Sequence, residues 1–252
     1  MTLPYVILSC AMSLDGYLAG EAPRRLAMSN PEDFDRVDQL RADSDAIMVG
    51  ASTVRRDDPR LLVRSEDRRR TRVAEGKTAS PVKVTVTGSG GLPAQSCFFT
   101  TGEVEKIVYC PGRVAGRTVD ALGDRATIVA LDDPVTMRAL AEDLAARGIG
   151  RLMVEGGGKL HTQFLREDIA DELQLVIAPF FVGESHAPRF VEAGTFPWTA
   201  SRRARLAETR QIGDVVLLRY ALSDRFPSTG PSTPADAGAT ADQAGPEHAE
   251  TP

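Results

Sequence analysis

The first apolar run is the feature that most constrains the fold. Residues 5–13 read YVILSCAMS and contain few polar positions. A strand with one face in water alternates apolar and polar residues, so a nearly continuous apolar run predicts a strand that is covered on both faces. Strands of this kind are typical of parallel sheets flanked by helices, and we therefore expect an α/β protein.

Helix-like and strand-like segments alternate along the rest of the chain. The tetrapeptide Asn30-Pro31-Glu32-Asp33 predicts a helix start, because a capping side chain, a proline and early acids all suit free N–H groups. Asp133-Pro134 predicts another start, with an end at Gly148, and a third helix is expected near residues 159–166. The polar residues 65–80 are predicted to form an exposed loop. The remaining predicted strands are residues 46–50, 82–87, 106–110, 126–131, 151–155, 172–179 and 214–221, the last of them an antiparallel edge.

Composition separates the last thirty residues from the rest. The chain has 252 residues, 42% of them hydrophobic, which is enough to bury a sizeable core. Residues 223–252 hold five of the sixteen prolines and no large apolar residue after Phe226. We therefore predict one folded domain, residues 1–222, followed by a disordered acidic tail, residues 223–252. The formal net charge of −5 arises mostly from that tail.

Charge and hydropathy exclude several classes of protein. The nearly neutral domain offers no basic patch for nucleic acid, and no apolar run approaches the roughly 20 residues that span a bilayer. Three isolated cysteines without a CxxC pair favour a reducing cytoplasm over a disulfide scaffold. The three histidines lie far apart, so we expect no metal site. We expect a cytoplasmic protein that binds neither nucleic acid nor a membrane.

The segment Glu155-Gly156-Gly157-Gly158 carries the clearest chemical signal. It links a predicted strand to a predicted helix. Glycines let the backbone approach an anion, and the first N–H groups of the helix point towards it. His161 stands where the third glycine of a dinucleotide-binding GxGxxG would be, and no GK[ST] of a P-loop follows. A phosphate site and a plain strand-to-helix turn both remain open from this segment alone.

Two other polar segments follow predicted strands. Residues 53–61, TVRRDDPRL, offer carboxylates for ribose hydroxyls or a base amide, and arginines whose guanidinium fork matches phosphate. Residues 13–19 end the first strand at an Asp-Gly turn. An ordinary turn explains either segment alone, but strand ends are also where α/β proteins bind their ligands.

Taken in series, these segments resemble the reductase domain of riboflavin biosynthesis. That domain is the C-terminal half of bifunctional bacterial enzymes and a stand-alone diaminopyrimidine reductase in archaea and fungi. The resemblance covers about residues 4–222, and the HxE and PCxxC signatures of a zinc deaminase half are absent. It implies a dihydrofolate-reductase-like fold, three α/β/α layers around a mostly parallel sheet with an antiparallel C-terminal edge. The matching stretches are Met12-Ser13-Leu14-Asp15-Gly16, Leu40-Arg41-Ala42, Ile47-Met48-Val49-Gly50, Thr53-Val54 with Asp57-Asp58-Pro59-Arg60-Leu61, Glu155-Gly156-Gly157-Gly158, and Ile177-Ala178-Pro179 with Gly183.

The resemblance also implies the ligands of the site and the residues that hold them. It implies NADPH as hydride donor and a phosphoribosylaminopyrimidine as the small-molecule substrate, reduced at the sugar C1′ to a ribitylamino product. Glu155 and Asp57 are then the candidate catalytic groups, and a homodimer is expected because family members are commonly dimers. The implied cofactor contacts are Met12, Thr53, Asp57, Gly88, Ser89, Gly157, Gly158, Lys159 and Leu160. The implied substrate contacts are Arg41, Leu61, Arg64 and Glu155.

Two other functions remain open at this point. The same fold and cofactor would serve a reductase of another pyrimidine or pterin, such as dihydrofolate or a precursor of a secondary metabolite. A nucleotide-binding protein without chemistry is the third possibility, and the presence of Thr53, Asp57 and Glu155 together argues against it. Oxidation of NADPH with a candidate substrate distinguishes the three.

Overall fold

A nine-stranded sheet forms the centre of the described protein. The computed structural model describes residues 2–21 and 26–227. The sheet order is β5-β4-β3-β2-β6-β1-β7-β9-β8, so β1 lies inside the sheet, as its apolar sequence predicts. The strands are β1 (Tyr5–Ser13), β2 (Ala46–Gly50), β3 (Val82–Val86), β4 (Lys106–Pro111), β5 (Thr127–Leu131), β6 (Arg151–Gly156), β7 (Glu172–Ala178), β8 (Arg205–Ile212) and β9 (Val215–Ala221).

The pairing of the strands confirms a mostly parallel sheet with an antiparallel C-terminal edge. Strand β1 runs parallel to both β6 and β7, with Val6 opposite Leu152. Strands β2 to β5 continue the parallel part on the β6 side. Strand β9 returns antiparallel to β7, and β8 pairs antiparallel with β9. The carboxyl ends of the seven parallel strands therefore share one edge of the sheet.

Helices cover both faces of the sheet and complete the three layers. Along β1, Val6 and Leu8 belong to one core cluster and Ile7 belongs to another, so alternate side chains enter opposite faces. Helices α6 and α7 pack on the first face, and α1, α2, α4 and α5 pack on the second. The helices are α1 (Pro31–Ala42), α2 (Ala51–Asp57), α3 (Glu66–Ala74), α4 (Cys97–Thr100), α5 (Gly112–Leu122), α6 (Met137–Ala146) and α7 (Gly158–Arg166), with a 3₁₀ turn at Gly123–Arg125.

The predicted start of α1 is confirmed in detail. Asn30 has extended backbone angles, and its side-chain oxygen accepts a hydrogen bond from the Asp33 amide at 3.0 Å. Its side-chain amide also donates to the Ile212 carbonyl at 2.7 Å. One asparagine therefore caps α1 and fixes the helix against the hairpin between β8 and β9.

The prediction of an exposed loop at residues 65–80 is wrong, because Glu66–Ala74 forms helix α3. The Ser65 side chain caps this helix by accepting from the Arg68 amide. Arg72 is buried, and its guanidinium donates to the Ala42 and Ser44 carbonyls at 2.6 and 2.8 Å. An arginine that donates to carbonyls at the end of α1 anchors this helix. The helix has only two apolar residues, Val73 and Ala74, so its sequence shows no apolar helical stripe.

The predicted helix start at Asp133-Pro134 is also wrong, because α6 begins at Met137. The Thr136 hydroxyl accepts from the Ala139 amide at 3.2 Å. The Glu167 carboxylate accepts from the Met137 and Arg138 amides, each at 2.8 Å. A residue from the end of α7 thus completes this cap, which local sequence does not reveal.

Ordered packing continues past Leu222. Phe226 is buried, and the Arg225 guanidinium pairs with the Asp171 carboxylate. Arg225 also donates to the Leu3 and Pro4 carbonyls at 2.8 and 2.7 Å. The first residues of the predicted tail therefore clamp the start of β1, while residues 228–252 lie outside the described residues.

Within residues 2–21 and 26–227, no helix is long and apolar enough to cross a membrane. In the same ranges, no three His, Cys, Asp or Glu side chains gather in a way that would hold a metal ion.

Candidate active site

Three of the predicted ligand-binding segments meet at the carboxyl edge of the sheet. Strands β6, β2 and β3 are neighbours, and Val49 of β2 lies opposite Gly156 of β6. A Cβ atom on Gly50 would lie 3.9 Å from the Gly156 carbonyl oxygen. The glycine turn, helix α2 and the turn after β3 therefore lie side by side, where α/β proteins bind ligands.

The glycine turn, residues 156–158, has the backbone that its sequence predicts. Gly156 and Gly157 have φ angles of 138° and 95°, values that L side chains rarely adopt. Gly157 is the N-cap of α7, so the next amides begin a helix without intrahelical acceptors. A Cβ atom on Gly157 would lie 3.6 Å from the Thr53 hydroxyl. The turn and Thr53 together form a polar cradle of the kind that binds phosphate.

At Gly158, contact with another part of the backbone, rather than the approach of a ligand, excludes a side chain. A Cβ atom there would lie closer than 3.0 Å to the Arg189 carbonyl oxygen and 3.5 Å from that of Phe190. The neighbours are backbone atoms, which cannot swing away as a side chain can. Gly158 thus admits a crossing chain segment, residues 186–192, which we name the strap.

The strap joins the glycine turn to the Asp-Gly turn after β1. The Phe190 amide donates to the Gly16 carbonyl at 3.1 Å, and the Leu18 amide donates to the Pro188 carbonyl at 2.8 Å. At its other end, the Glu192 amide donates to the Thr162 hydroxyl of α7 at 2.8 Å. The strap has no recognisable sequence pattern, because it is irregular and its contacts are to backbone atoms distant in sequence.

Glu155 and Arg41, both predicted to contact substrate, form a bidentate ion pair. The two guanidinium-to-carboxylate contacts measure 2.5 and 2.6 Å, and Arg41 also donates to the Leu62 carbonyl at 3.2 Å. Both side chains are about 15% exposed. Burial lowers the pKa of the Arg41 guanidinium, but the charge of Glu155 outweighs it and holds that pKa above its ordinary value. The Arg41 guanidinium therefore stays charged beside the glycine turn, paired with Glu155.

Three other predicted residues have distinct positions. Arg64 is exposed, and its guanidinium donates to the Phe34 carbonyl at 2.7 Å. The Leu61 side chain is buried in the core with φ of 48°, so only its backbone is available to a ligand. Asp57 is exposed at the end of α2 and pairs with the neighbouring Arg56 at 3.0 Å. The structure thus pairs Arg41 with Glu155 and brings Thr53 to the glycine turn, whereas Arg64 lies against α1.

The remaining predicted cofactor contacts lie along the same edge. Met12 is half-buried near the end of β1, opposite Ile177. Gly88 and Ser89 are exposed in the turn after β3. Lys159 is exposed in the first turn of α7, while the Leu160 side chain packs in the core. The Leu160 amide donates to the Gly157 carbonyl at 2.9 Å, so an anion at this turn would meet the amides that precede it.

His161 lies in the first turns of α7 and is buried beneath the glycine turn. Burial lowers its pKa to about 4, so the ring is neutral at pH 7. The ring packs against Phe190 of the strap, with centroids 5.5 Å apart. His161 thus supports the strap and adds no positive charge to the anion cradle.

The fold and this edge define a class of protein. The sheet is mostly parallel with an antiparallel C-terminal edge, and a glycine turn with a carboxylate beside it precedes α7. These features define a dihydrofolate-reductase-like α/β protein. The family model described as RibD C-terminal domain matches residues 4–218. The chain belongs to this RibD C-terminal domain family.

Individual relatives agree with that assignment. The chain is 33% identical over 225 residues to the 2,5-diamino-6-ribosylamino-4(3H)-pyrimidinone 5′-phosphate reductase of Archaeoglobus fulgidus, covering 88% of this chain and 98% of the relative. The fold matches a pyrimidine reductase-like protein from Corynebacterium diphtheriae with a TM-score of 0.73 and 22% identity, over 86% of this chain and 91% of that one.

A bifunctional protein shares the same fold over part of its length. The deaminase/5-amino-6-(5-phosphoribosylamino)uracil reductase of Thermotoga maritima matches with a TM-score of 0.69 and 22% identity. The match covers 87% of this chain and 56% of that protein. The chain therefore spans about half the length of this bifunctional protein.

Proposed function

We propose that this protein is an NADPH-dependent reductase of a phosphoribosylaminopyrimidine in riboflavin biosynthesis. Hydride transfer to C1′ of the open-chain sugar would yield a ribitylamino product. The bidentate contact between Glu155 and Arg41 beside the glycine turn is the observation that carries the proposal. The archaeal relative at 33% identity, whose name states reduction of such a phosphate ester, supports it.

The cradle fits a dinucleotide. Gly156 is buried, but no atom lies within 4 Å of its Cβ position, so the space on that side is open, and the first amides of α7 supply donors. Residues 157–160 and Thr53 would hold the diphosphate, and Met12, Asp57, Gly88 and Ser89 would contact the rest of the cofactor. A bound nicotinamide would supply the hydride, and the chain contributes position and charge.

Glu155 would orient the substrate, with its own position fixed by Arg41. Its carboxylate is held by two short contacts from Arg41, which also fixes the Leu62 carbonyl. This arrangement presents an oriented negative charge next to the cradle, suited to the hydroxyl or amino groups of a ribosylaminopyrimidine. Arg64, exposed near the start of α1, would approach the phosphate of the substrate, and the Leu61 backbone would line the same side.

One assay tests the reaction. The protein is mixed with NADPH and either the diaminopyrimidinone or the aminouracil ribosyl phosphate, and the absorbance of reduced nicotinamide is followed. Oxidation with either substrate supports the proposal. Binding of NADPH without oxidation contradicts this substrate class, and turnover of dihydrofolate or another pterin in its place would assign the alternative. Absence of NADPH binding contradicts a reductase altogether.

A variant pair tests the role of Glu155. We expect Glu155→Gln to lower turnover by about 10²-fold or more while NADPH binding persists, because the amide lacks the charge that orients substrate. Glu142→Gln is the matched control, since Glu142 is an exposed carboxylate on α6. Equal turnover of both variants would overturn the role of Glu155.

Assembly and location belong to the same proposal. We infer a cytoplasmic homodimer, for which exposed Phe181, 73% accessible at the end of β7, and exposed Leu14 offer apolar surface. The three described cysteines are free thiols, which suits a reducing compartment. Sedimentation of wild type against Phe181→Ser tests the dimer, and a monomeric wild-type protein would contradict it.

A further inference from the structure

Segment 61–65, between α2 and α3, has no regular secondary structure, yet side chains from other elements hold its backbone in place. The Leu62 carbonyl accepts a hydrogen bond from the Arg41 guanidinium at 3.2 Å. The Val63 amide donates to the buried Ser80 hydroxyl at 3.0 Å. The segment contains two of the predicted substrate contacts, so the groups that fix its backbone also fix those contacts.

Asp38 of α1 holds the other end of this segment, and the proposed reaction gives Asp38 no role. One of its carboxylate oxygens accepts from the Arg64 amide at 2.6 Å, and the other accepts from the Ser65 amide at 3.0 Å. The second oxygen also accepts from the Arg68 guanidinium of α3 at 3.0 Å. The Asp38 side chain is only 3% exposed. A buried carboxylate with its two oxygens on consecutive amides fixes the direction of the chain at that point.

Asp38 keeps its negative charge in this position. Burial raises the pKa of its carboxyl, but hydrogen bonds from the Arg64 and Ser65 amides and from Arg68 outweigh burial and hold that pKa below its ordinary value. Hydrogen bonds to an ionised acceptor are roughly twice as strong as those between neutral groups. The charge of Asp38 therefore strengthens its hold on segment 61–65.

Asp35, one helical turn before Asp38, makes no such contacts. Its carboxylate is 69% exposed and accepts from the Arg68 guanidinium at 2.7 Å. In residues 2–21 and 26–227, no hydrogen bond links the Asp35 side chain to segment 61–65. The two carboxylates thus share one partner in α3, and only Asp38 also reaches the segment before that helix.

Helix α1 connects this segment to Glu155. Asp38 and Arg41 are three residues apart on α1 and so lie on the same side of the helix. Arg41 binds the Glu155 carboxylate and also one carbonyl of segment 61–65. Asp38 binds two amides of the same segment. One side of α1 therefore sets the position of the segment, and of the exposed Arg64 within it, relative to Glu155.

We propose that Asp38 is a positioning residue for the reaction, holding segment 61–65 in the conformation that receives the phosphate-bearing end of the substrate. The inference rests on the proposed function, in which Arg64 approaches that phosphate. Asp38 is too deeply buried to touch a ligand, so it acts through the backbone of Arg64 and Ser65. A segment that is already ordered loses little conformational freedom on binding, so the hold of Asp38 lowers the KM for the substrate.

Steady-state kinetics with NADPH and each of the two ribosyl phosphates test this role. For Asp38→Asn we expect the KM for the ribosyl phosphate to rise about 10-fold, with kcat within about twofold of wild type, because the new NH₂ group keeps the shape of the carboxylate but cannot accept from a backbone amide. Asp35→Asn is the matched control and should leave both constants unchanged. In an Arg64→Ala background, Asp38→Asn should raise KM much less, because the side chain that it positions is gone.

Hydrogen exchange tests the hold of Asp38 without substrate or turnover. The Arg64 and Ser65 amides should be protected in the wild-type protein and should exchange about 10-fold faster or more in Asp38→Asn, with the amides of β1 unchanged. Rapid exchange of both amides in the wild-type protein would overturn the proposal, whether or not the variant folds.

The remaining outcomes separate this role from the proposed function. Wild-type turnover with an unchanged KM in Asp38→Asn overturns the positioning role and leaves the reductase standing. A lower KM in that variant would make Asp38 a counter-charge to Arg64 and overturn the role as well. Loss of NADPH affinity together with exchange protection across the sheet would assign Asp38 to folding alone. Wild-type protein that binds NADPH but reduces neither ribosyl phosphate overturns the proposed function, and the positioning role falls with it.

Discussion

Gly158→Ala tests how the strap is seated on α7. An alanine at the start of a helix normally gains up to about 1 kcal/mol over glycine, because glycine loses more backbone freedom. Here the new Cβ atom would lie under 3.0 Å from one backbone oxygen and 3.5 Å from another, with the carbonyl carbon of Arg189 at 3.4 Å. Overpacking against rigid atoms costs about 1–3 kcal/mol. We therefore expect a net loss of about 1–2 kcal/mol in the free energy of unfolding.

Urea denaturation measures this loss, and hydrogen exchange locates it. The amides of Phe190 and Glu192 should lose protection, because they donate to Gly16 and Thr162 across the strap. Gly116→Ala is the matched control, since Gly116 lies in α5 with nothing within 4 Å of a Cβ position, and it should stabilise the protein by up to about 1 kcal/mol. A Gly158→Ala protein as stable as Gly116→Ala would refute the reasoning.

Three further predictions concern buried or clamped charges. Burial lowers the pKa of Lys83 from 10.5 to about 8, so the folded state releases this proton at a lower pH than the unfolded state does. The free energy of unfolding should therefore rise between about pH 8 and 10.5, by about 3 kcal/mol at most. Lys83→Met should lack that rise, and the same pH dependence in wild type and variant, measured by urea denaturation, would contradict the prediction. Burial raises the pKa of Asp15, but hydrogen bonds from Ser13 and two backbone amides outweigh it and lower that pKa to about 2. Stability from Asp15 is therefore complete above about pH 4 and lost as pH falls towards 2, and Asp15→Asn should show a shallower acid transition in a thermal melt. Arg225→Ala leaves the buried Asp171 carboxylate short of its partner and should cost about 3 kcal/mol, measured by urea denaturation; a loss below about 1 kcal/mol would show that the clamp is a surface contact.

Local signals predicted the parts of the fold that are held by local chemistry. The apolar run of β1 identified an interior strand, and Asn30 identified the start of α1 because its own side chain makes the cap. The glycine turn was placed correctly before α7, since positive φ angles at Gly156 and Gly157 leave few alternatives to glycine. These features depend on residues within a few positions of one another.

Features held by distant residues were missed or misplaced. Helix α3 is anchored by Arg72 on the end of α1, and the cap of α6 includes Glu167 from beyond α7, so neither has a complete local pattern. The strap was not predicted. Gly158 is needed for the strap to pass, but the sequence was interpreted as placing this glycine there for the approach of a ligand. The pairing of Arg41 with Glu155 likewise joins two residues separated by 114 positions.

The interior position of β1 has a consequence for how the chain acquires its fold. Its two neighbours, β6 and β7, begin at Arg151 and Glu172. At a synthesis rate of about 5–20 residues per second, about 7–30 s pass between the synthesis of β1 and the synthesis of β6, its first partner. Pairing across so many residues is slow, and an unpaired apolar strand is prone to associate with other chains. Refolding yield should therefore fall as protein concentration rises, and holding chaperones should restore it.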